Sequence, residues 1–280
     1  MPKLFFPILF LCFVVFLVYI LKFKTVTTMK FFPIDEVITI EQANTNLTMK
    51  NDDDIIWNIR SKSSEQAFLR QDVSLLYENG KFKGVHNQWK QNVKELDAEH
   101  SFQFSNNSRL EAISFHHAEV HRSNDEITSA QKMTSDRLYV MKENKSYNSF
   151  KKPQNDKESM WSDKLDHITE QQLKFYWNRL LDHFQIKRKD YDLIPLTELY
   201  HYDEHNFPNH DRNETDEILG KLWEGLYKNY ILLLRENEYR VHEHYVPLIL
   251  LAKDGSHLLV IFELNGEKQQ LIQKIRTEST

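Results

Sequence analysis

Residues 73–89 read VSLLYENGKFKGVHNQW, and this stretch decides how the chain is built. Val73, Leu75 and Tyr77 fall on one side of an extended backbone and run up to Asn79-Gly80. Phe82, Val85 and Trp89 follow the pair. A two-residue hairpin turn needs positive φ at both central positions, which Asn-Gly tolerates better than almost any other dipeptide. The stretch therefore predicts an antiparallel hairpin, and strands become the expected currency of the region around it.

Working outward toward the C-terminus, a second strand pair is expected over residues 110–122 and 127–141, with a turn at Ser123-Asn124-Asp125. Ile113 and Phe115 share one face of the first of these strands, whereas Ala118 and Val120 share the other. The phase switches at His116-His117, as it does at a bulge or in a strand buried on both sides. Residues 143–163 carry almost no apolar side chain before Met160 and read as a linker.

Beyond that linker the pattern turns helical. Thr169 followed by Gln172 has the form of a capping box, with Ile168 and Leu173 as its staple. Leu173, Tyr176, Trp177, Leu180, Leu181 and Phe184 then recur at helical spacing. A second helix is expected over residues 215–236, and its apolar stripe includes Leu219, Leu222, Trp223, Leu226 and Tyr230. Three strands follow, over 239–251, 257–264 and 268–275, joined by turns at Asp254-Gly255 and Asn265-Gly266. Pro247 has no N–H to donate and marks an edge or a bulge in the first of them.

Working back toward the N-terminus, Leu4–Leu21 is apolar apart from Pro7 and is flanked by Lys3, Lys22 and Lys24. Such a run spans roughly 27 Å as a helix, enough for a bilayer core. No small-residue cleavage site follows it, so an uncleaved signal-anchor is expected over residues 1–24. The expected fold class is α+β: an N-terminal transmembrane helix, a juxtamembrane segment over 25–71, a β-rich subdomain over 72–142, the linker, and a subdomain over 164–280 in which two amphipathic helices pack on a three-stranded meander.

Composition narrows the function. The chain has a formal net charge of −5, and the 33 bases beyond the first 24 residues face 41 acids, which argues against a nucleic-acid partner. The single cysteine, Cys12, lies in the apolar run, so the remainder has no disulfide, as suits a bacterial envelope protein. No glycine-rich phosphate loop, no Gly-x-Ser-x-Gly elbow and no HExxH motif occurs. The first expectation is accordingly a single-pass, extracytoplasmic accessory or regulatory protein, held in the lipid bilayer by Leu4–Leu21, that binds another envelope protein.

Histidines supply the alternative. His201, Asp203, His205, His210 and Asp211 lie within eleven residues between the two expected helices. Imidazoles and carboxylates gathered by one loop could hold zinc or another divalent metal, giving a membrane-anchored hydrolase. The bland alternative is a solvated polar loop. His117, Glu119 and His121, like His242 and His244, share strand faces and read as polar, solvent-facing sides. A ligand-sensing domain, with its ligand between helix and sheet, is the lesser option and rests on fold analogy.

Overall fold

The structure is a computed structural model, and it describes residues 29–51, 54–105, 107–122, 125–143, 146–236 and 243–275. With 53% strand and 27% helix it is mostly β-sheet, which corrects the α+β expectation. The difference arises largely from residues 40–71 and 90–103. These are polar and charged in sequence yet form β1 (Ile40–Asn51), the first part of β2 (Asp54–Glu78) and the end of β3 (Lys81–Gln103). From Trp89 to Gln103, β3 is exposed along much of its length, so no apolar alternation marks it in the sequence.

The Asn79-Gly80 hairpin forms as expected, with φ of 51° and 77° at its two central residues. It joins strands far longer than an ordinary one. A straight strand the length of β2 would reach about 80 Å. The register between β2 and β3 jumps between Lys62 and Ala67 while the partner moves only from Glu95 to Val93. Extra residues on one strand bend it, and here the bend folds the sheet into two leaves.

One leaf is the N-terminal half of β2 with β1. The other is the C-terminal half of β2, paired with β4 (Ser108–His121), which pairs in turn with β5 (Ile127–Glu143) and β6 (Ser146–Phe150). Leu47, Ile55, Trp57 and Ile59 from the first leaf meet Leu76, Leu110, Ala112, Leu138 and Val140 from the second. Alternation along the strands sends the neighbouring residues to the opposite side. Val73, Leu75, Tyr77, Ile113 and Phe115 therefore face a second, larger core.

That core is completed by helix α1 (Asp156–His183), helix α2 (Arg212–Leu226), a π-turn over Tyr227–Ile231, the short α3 (Leu232–Glu236) and a second sheet. The second sheet has the order β10-β9-β8-β7, from β7 (Tyr191–Pro195), β8 (Leu248–Ala252), β9 (His257–Leu264) and β10 (Glu267–Lys274). Trp223 stacks on Phe115 at 5.0 Å, and the Tyr77 and Tyr230 hydroxyls stand 3.3 Å apart. Trp177 donates from Nε1 to the Val246 carbonyl at 2.8 Å. The first sheet, the helices and the second sheet thus share one apolar interior.

Several local expectations change. Residues 143–163 contain β6 and the first turns of α1. Asn155 caps that helix through Glu158 N–H, and Thr169 is a buried mid-helix residue. Thr-x-x-Gln looks the same in a helix interior as at a start, so the pattern alone misplaced the cap. The strand expected over 239–251 begins only at Leu248, just after Pro247, and residues 237–242 lie outside the described ones. β7 was not anticipated; it pairs with β8 and makes the expected three-stranded meander a sheet of four.

The transmembrane helix expected over Leu4–Leu21 falls outside the described residues. Among the described residues no helix is long and apolar enough to cross a membrane. The single-pass, cell-membrane placement is corrected on that ground. The 28-residue α1 is long enough, but its charged outer face is incompatible with a span.

Candidate functional site

The histidine loop does not assemble as a metal centre. His201 is exposed on a 3-10 turn (Leu196–Asp203), where its ring packs at 4.1 Å from Tyr200. Asp203 points away into the fold: its Oδ1 accepts from Met133 N–H at 2.8 Å, and burial pushes its carboxyl above the usual range. His205 is exposed. His210 places Nδ1 3.3 Å from Glu214, while Asp211 caps α2 in a reciprocal capping box with Glu214. Asp203 is thus committed to β5, His210 and Asp211 share Glu214 at the start of α2, and His201 and His205 face solvent. Among the described residues no three His, Cys, Asp or Glu side chains gather as metal ligands would.

The strand histidines separate as well. His117 is buried against the core rather than facing solvent, and burial lowers its imidazole to about 4. Glu119 and His121 contact each other on that strand, and Phe68 stacks on the His121 ring at 3.8 Å. His244 is buried, and its carbonyl accepts from Phe82 N–H at 2.7 Å; His242 lies outside the described residues.

A different surface stands out on α1. Its inner side buries Leu165, Leu173, Tyr176, Trp177, Leu180 and Leu181. Its outer side nonetheless exposes Met160 by 60%, Ile168 by 47% and Phe175 by 69%. At 100° per residue these three fall within about 80° of one another, opposite the buried stripe. Their spacing of eight and then seven residues makes a second apolar seam. Lys157, Lys164 and Arg179 are exposed on the same arc, and Asp182 is the acid that joins them there.

The seam opens onto a groove of about 540 Å³ between α1 and the tip of the β2–β3 hairpin. Trp161, Lys164, Leu165 and Ile168 line the helical wall, and Phe82 with Lys83 lines the other. Lys164 Nζ lies 4.8 Å over the Trp161 ring. At the groove floor Glu78 is held by Ser108 Oγ and Ser105 N–H, each at 2.6 Å, and by Lys83 at 2.9 Å. Burial alone would raise its carboxyl; these donors outweigh that and keep it below its ordinary range. Glu78 is thereby occupied within the fold, and the groove presents an apolar wall with a lysine rim.

A second hollow, near Tyr139 and Lys151, is lined by Arg137, Glu111 and Asp166. Its charges are largely spent on one another: Arg109 and Arg137 both donate to Glu111, at 2.7 and 2.8 Å, and Tyr139 donates to Asp166 at 2.9 Å. Among the described residues, the apolar side chains of the α1 seam are left exposed instead. The sequence did hold a signal for it, since Met160, Ile168 and Phe175 sit at heptad-like intervals. That signal was hidden once residues 143–163 were read as a linker and Ile168 as a staple.

Comparison with protein family models, with curated proteins and with solved structures finds no match. The class defined by the fold and this surface is a β-rich, two-sheet protein with one long helix displayed at its flank.

Proposed function

We propose that this protein is a non-enzymatic binding module whose α1 face and adjoining groove receive an acidic amphipathic helix from a partner protein. The observation that carries the reading is the exposure of Met160, Ile168 and Phe175 along one arc of α1. Large apolar side chains exposed in line, beside a groove and rimmed by charge, characterise interaction surfaces.

The spacing favours a helix as the docked element. Anchors seven and eight residues apart match the repeat of a helix laid along another helix. Lys157, Lys164 and Arg179 complement acidic flanks on that partner. An anionic lipid surface is the weaker fit, because Asp163, Glu170 and Asp182 are also exposed on α1 and would be repelled.

The test is site-specific photocrosslinking from position 175 of the full chain, followed by binding of the identified partner segment in purified form. The expected result is one recurrent partner crosslinked through an acidic helical segment, with binding reduced at least tenfold by Ile168→Asp and by Lys164→Glu. Crosslinking to no recurrent protein would overturn the proposal. So would saturable binding to anionic vesicles that depends on the same residues while no protein segment binds.

A further inference from the structure

The second sheet carries a separate cavity of about 670 Å³ near the end of α1, and it shares no lining residue with the groove at the hairpin tip. One wall is fixed by the way α1 stops. Gln185 takes a φ of 55°, its N–H donates to the Asp182 carbonyl at 3.2 Å, and the Ile186 N–H returns to the Leu181 carbonyl at 2.9 Å. This paired closure is the Schellman arrangement, which satisfies the last carbonyls of a helix and turns the chain out of it. Phe184, Ile186 and Lys187 then line the cavity together with residues of β9 and β10.

The floor follows from strand register. His257 on β9 stands opposite Lys274 on β10, and Leu259 stands opposite Ile272. Period-two alternation keeps both pairs on one face of the sheet, and all four side chains line the cavity. Successive rows on one face are about 7 Å apart. The floor therefore passes from a polar, cationic row to an apolar one in a single step. Ile272 is 64% exposed there, although its neighbour Leu259 is buried.

The polar end is ordered by a chain of hydrogen bonds. Asp254 Oδ1 accepts from Ser256 Oγ at 2.7 Å, and that oxygen lies 2.7 Å from His257 Nδ1. His257 Nε2 lies 3.0 Å from the Tyr191 hydroxyl on β7, with the two rings edge-on at 5.6 Å. The imidazole is thus held at both nitrogens and the phenol at its oxygen, so the polar wall is built before any ligand arrives. Lys187 and Lys274 are the cations of the lining, and Asp190 is its single acid. An apolar cavity with a few convergent polar groups, within the range of roughly 300–1,000 Å³, has the form of a small-molecule site.

We propose that this cavity binds a small amphipathic monocarboxylate, with its carboxylate at the Lys274 end and its apolar body over Ile272, Leu259 and Ile186. Charge and register both select this class. The two lysines against one acid favour an anionic head, and an apolar body on the order of 7–10 Å covers the row beyond it. A wholly apolar ligand leaves the lysines unmatched, and a wholly polar one leaves Ile272 uncovered.

Titration of the full chain with octanoate, followed through the ¹³C methyl signals of its isoleucines, tests this directly. The expected result is a saturable shift of the Ile186 and Ile272 methyls. Octanamide, which keeps the chain and lacks the charge, and acetate, which keeps the charge and lacks the chain, should each bind about tenfold or more weakly. Ile272→Glu and Lys274→Glu, both at exposed positions, should weaken octanoate binding to a similar degree while the circular dichroism spectrum is unchanged. If either variant does not fold, the location of the wild-type shifts and the comparison of the three compounds stand as the test. Octanoate that leaves the Ile186 and Ile272 methyls unmoved at millimolar concentration overturns the proposal. So does octanamide or acetate binding as tightly as octanoate, or folded variants that bind it as well as the wild type. The readout lies at Ile186 and Ile272, so its failure is separate from any failure of docking on α1.

Discussion

Phe31 lies so close over Gly220 that a Cβ built on the glycine would stand 1.9 Å from Phe31 Cδ2. The segment leading into β1 is seated on α2 through this absence of a side chain, and Glu224 one turn on accepts from Phe31 N–H at 2.9 Å. Gly220→Ala would ordinarily favour a helix interior by about 1 kcal/mol. Here the methyl group must displace the ring, and a net loss of about 1–3 kcal/mol is expected in chemical denaturation. Phe31→Ala made in the Gly220→Ala background should recover part of it. A Gly220→Ala protein as stable as the wild type would show that the two residues do not meet.

His117 offers a test in the mildly acidic range. Burial, and secondarily the nearby Arg70 charge, lower its imidazole to about 4 from an ordinary 6.5. The unfolded chain therefore binds a proton that the folded chain refuses. The stability this confers on the folded state is complete above about pH 6.5 and is lost as pH falls toward about 4. His117→Gln should flatten the stability profile across that window. An unchanged slope between pH 7 and pH 4 would contradict the burial of this ring.

Asp35 governs a lower window. Burial alone would raise its carboxyl, but Arg122, Thr128 and the Ile38 and Val37 N–H groups together hold it well below the usual carboxylate range. The two backbone bonds measure 2.8 Å, and Arg122 Nη2 approaches at 2.6 Å. A depressed carboxyl gives stability that is full above its unfolded value of about 4 and is lost as pH drops below it. Asp35→Asn is expected to cost about 1.5–3 kcal/mol at pH 7, and the gap to wild type should shrink below pH 4. Equal stabilities at neutral pH would show the cluster to be energetically idle.

Phe175 and Leu180 lie on the same helix and should behave oppositely. Phe175→Asp removes an exposed side chain, so folding stability should stay within about 0.5 kcal/mol of wild type while docking on α1 fails. Leu180 is wholly buried, and Leu180→Asp should prevent folding. Circular dichroism melts of the two variants distinguish these outcomes. A large loss of stability from Phe175→Asp would mean that its ring supports the fold rather than a partner.

Only the hairpins of the β architecture could be read locally. The Asn79-Gly80 and Asn265-Gly266 turns formed where expected, and each places both residues at positive φ. The apolar stripes from Leu173 to Leu181 and from Leu219 to Leu226 turned inward as their spacing required. The candidate site was far less legible. Exposed and buried apolar residues look alike in a sequence, so Phe175 could not be told from Tyr176 until the core was assembled. The histidines of 201–211 are close along the chain, but Asp203 is drawn toward Met133 on β5 and Asp211 toward the start of α2, which separates them.

The sequence by itself determined the turns, the helical faces and the strand pairing around Asn79-Gly80. Each depends on φ preference or on residue spacing within a few positions, and both are properties of the local chain. Tertiary structure decided the rest: the bend of β2 near Ser63–Gln66, the placement of Thr169 inside a helix, the burial of Arg70 beside Asp72 and His116, and the exposure of Phe175. These depend on which distant surfaces meet. Burial and electrostatic environment are set by atoms brought from elsewhere in the chain, and no short stretch carries that information.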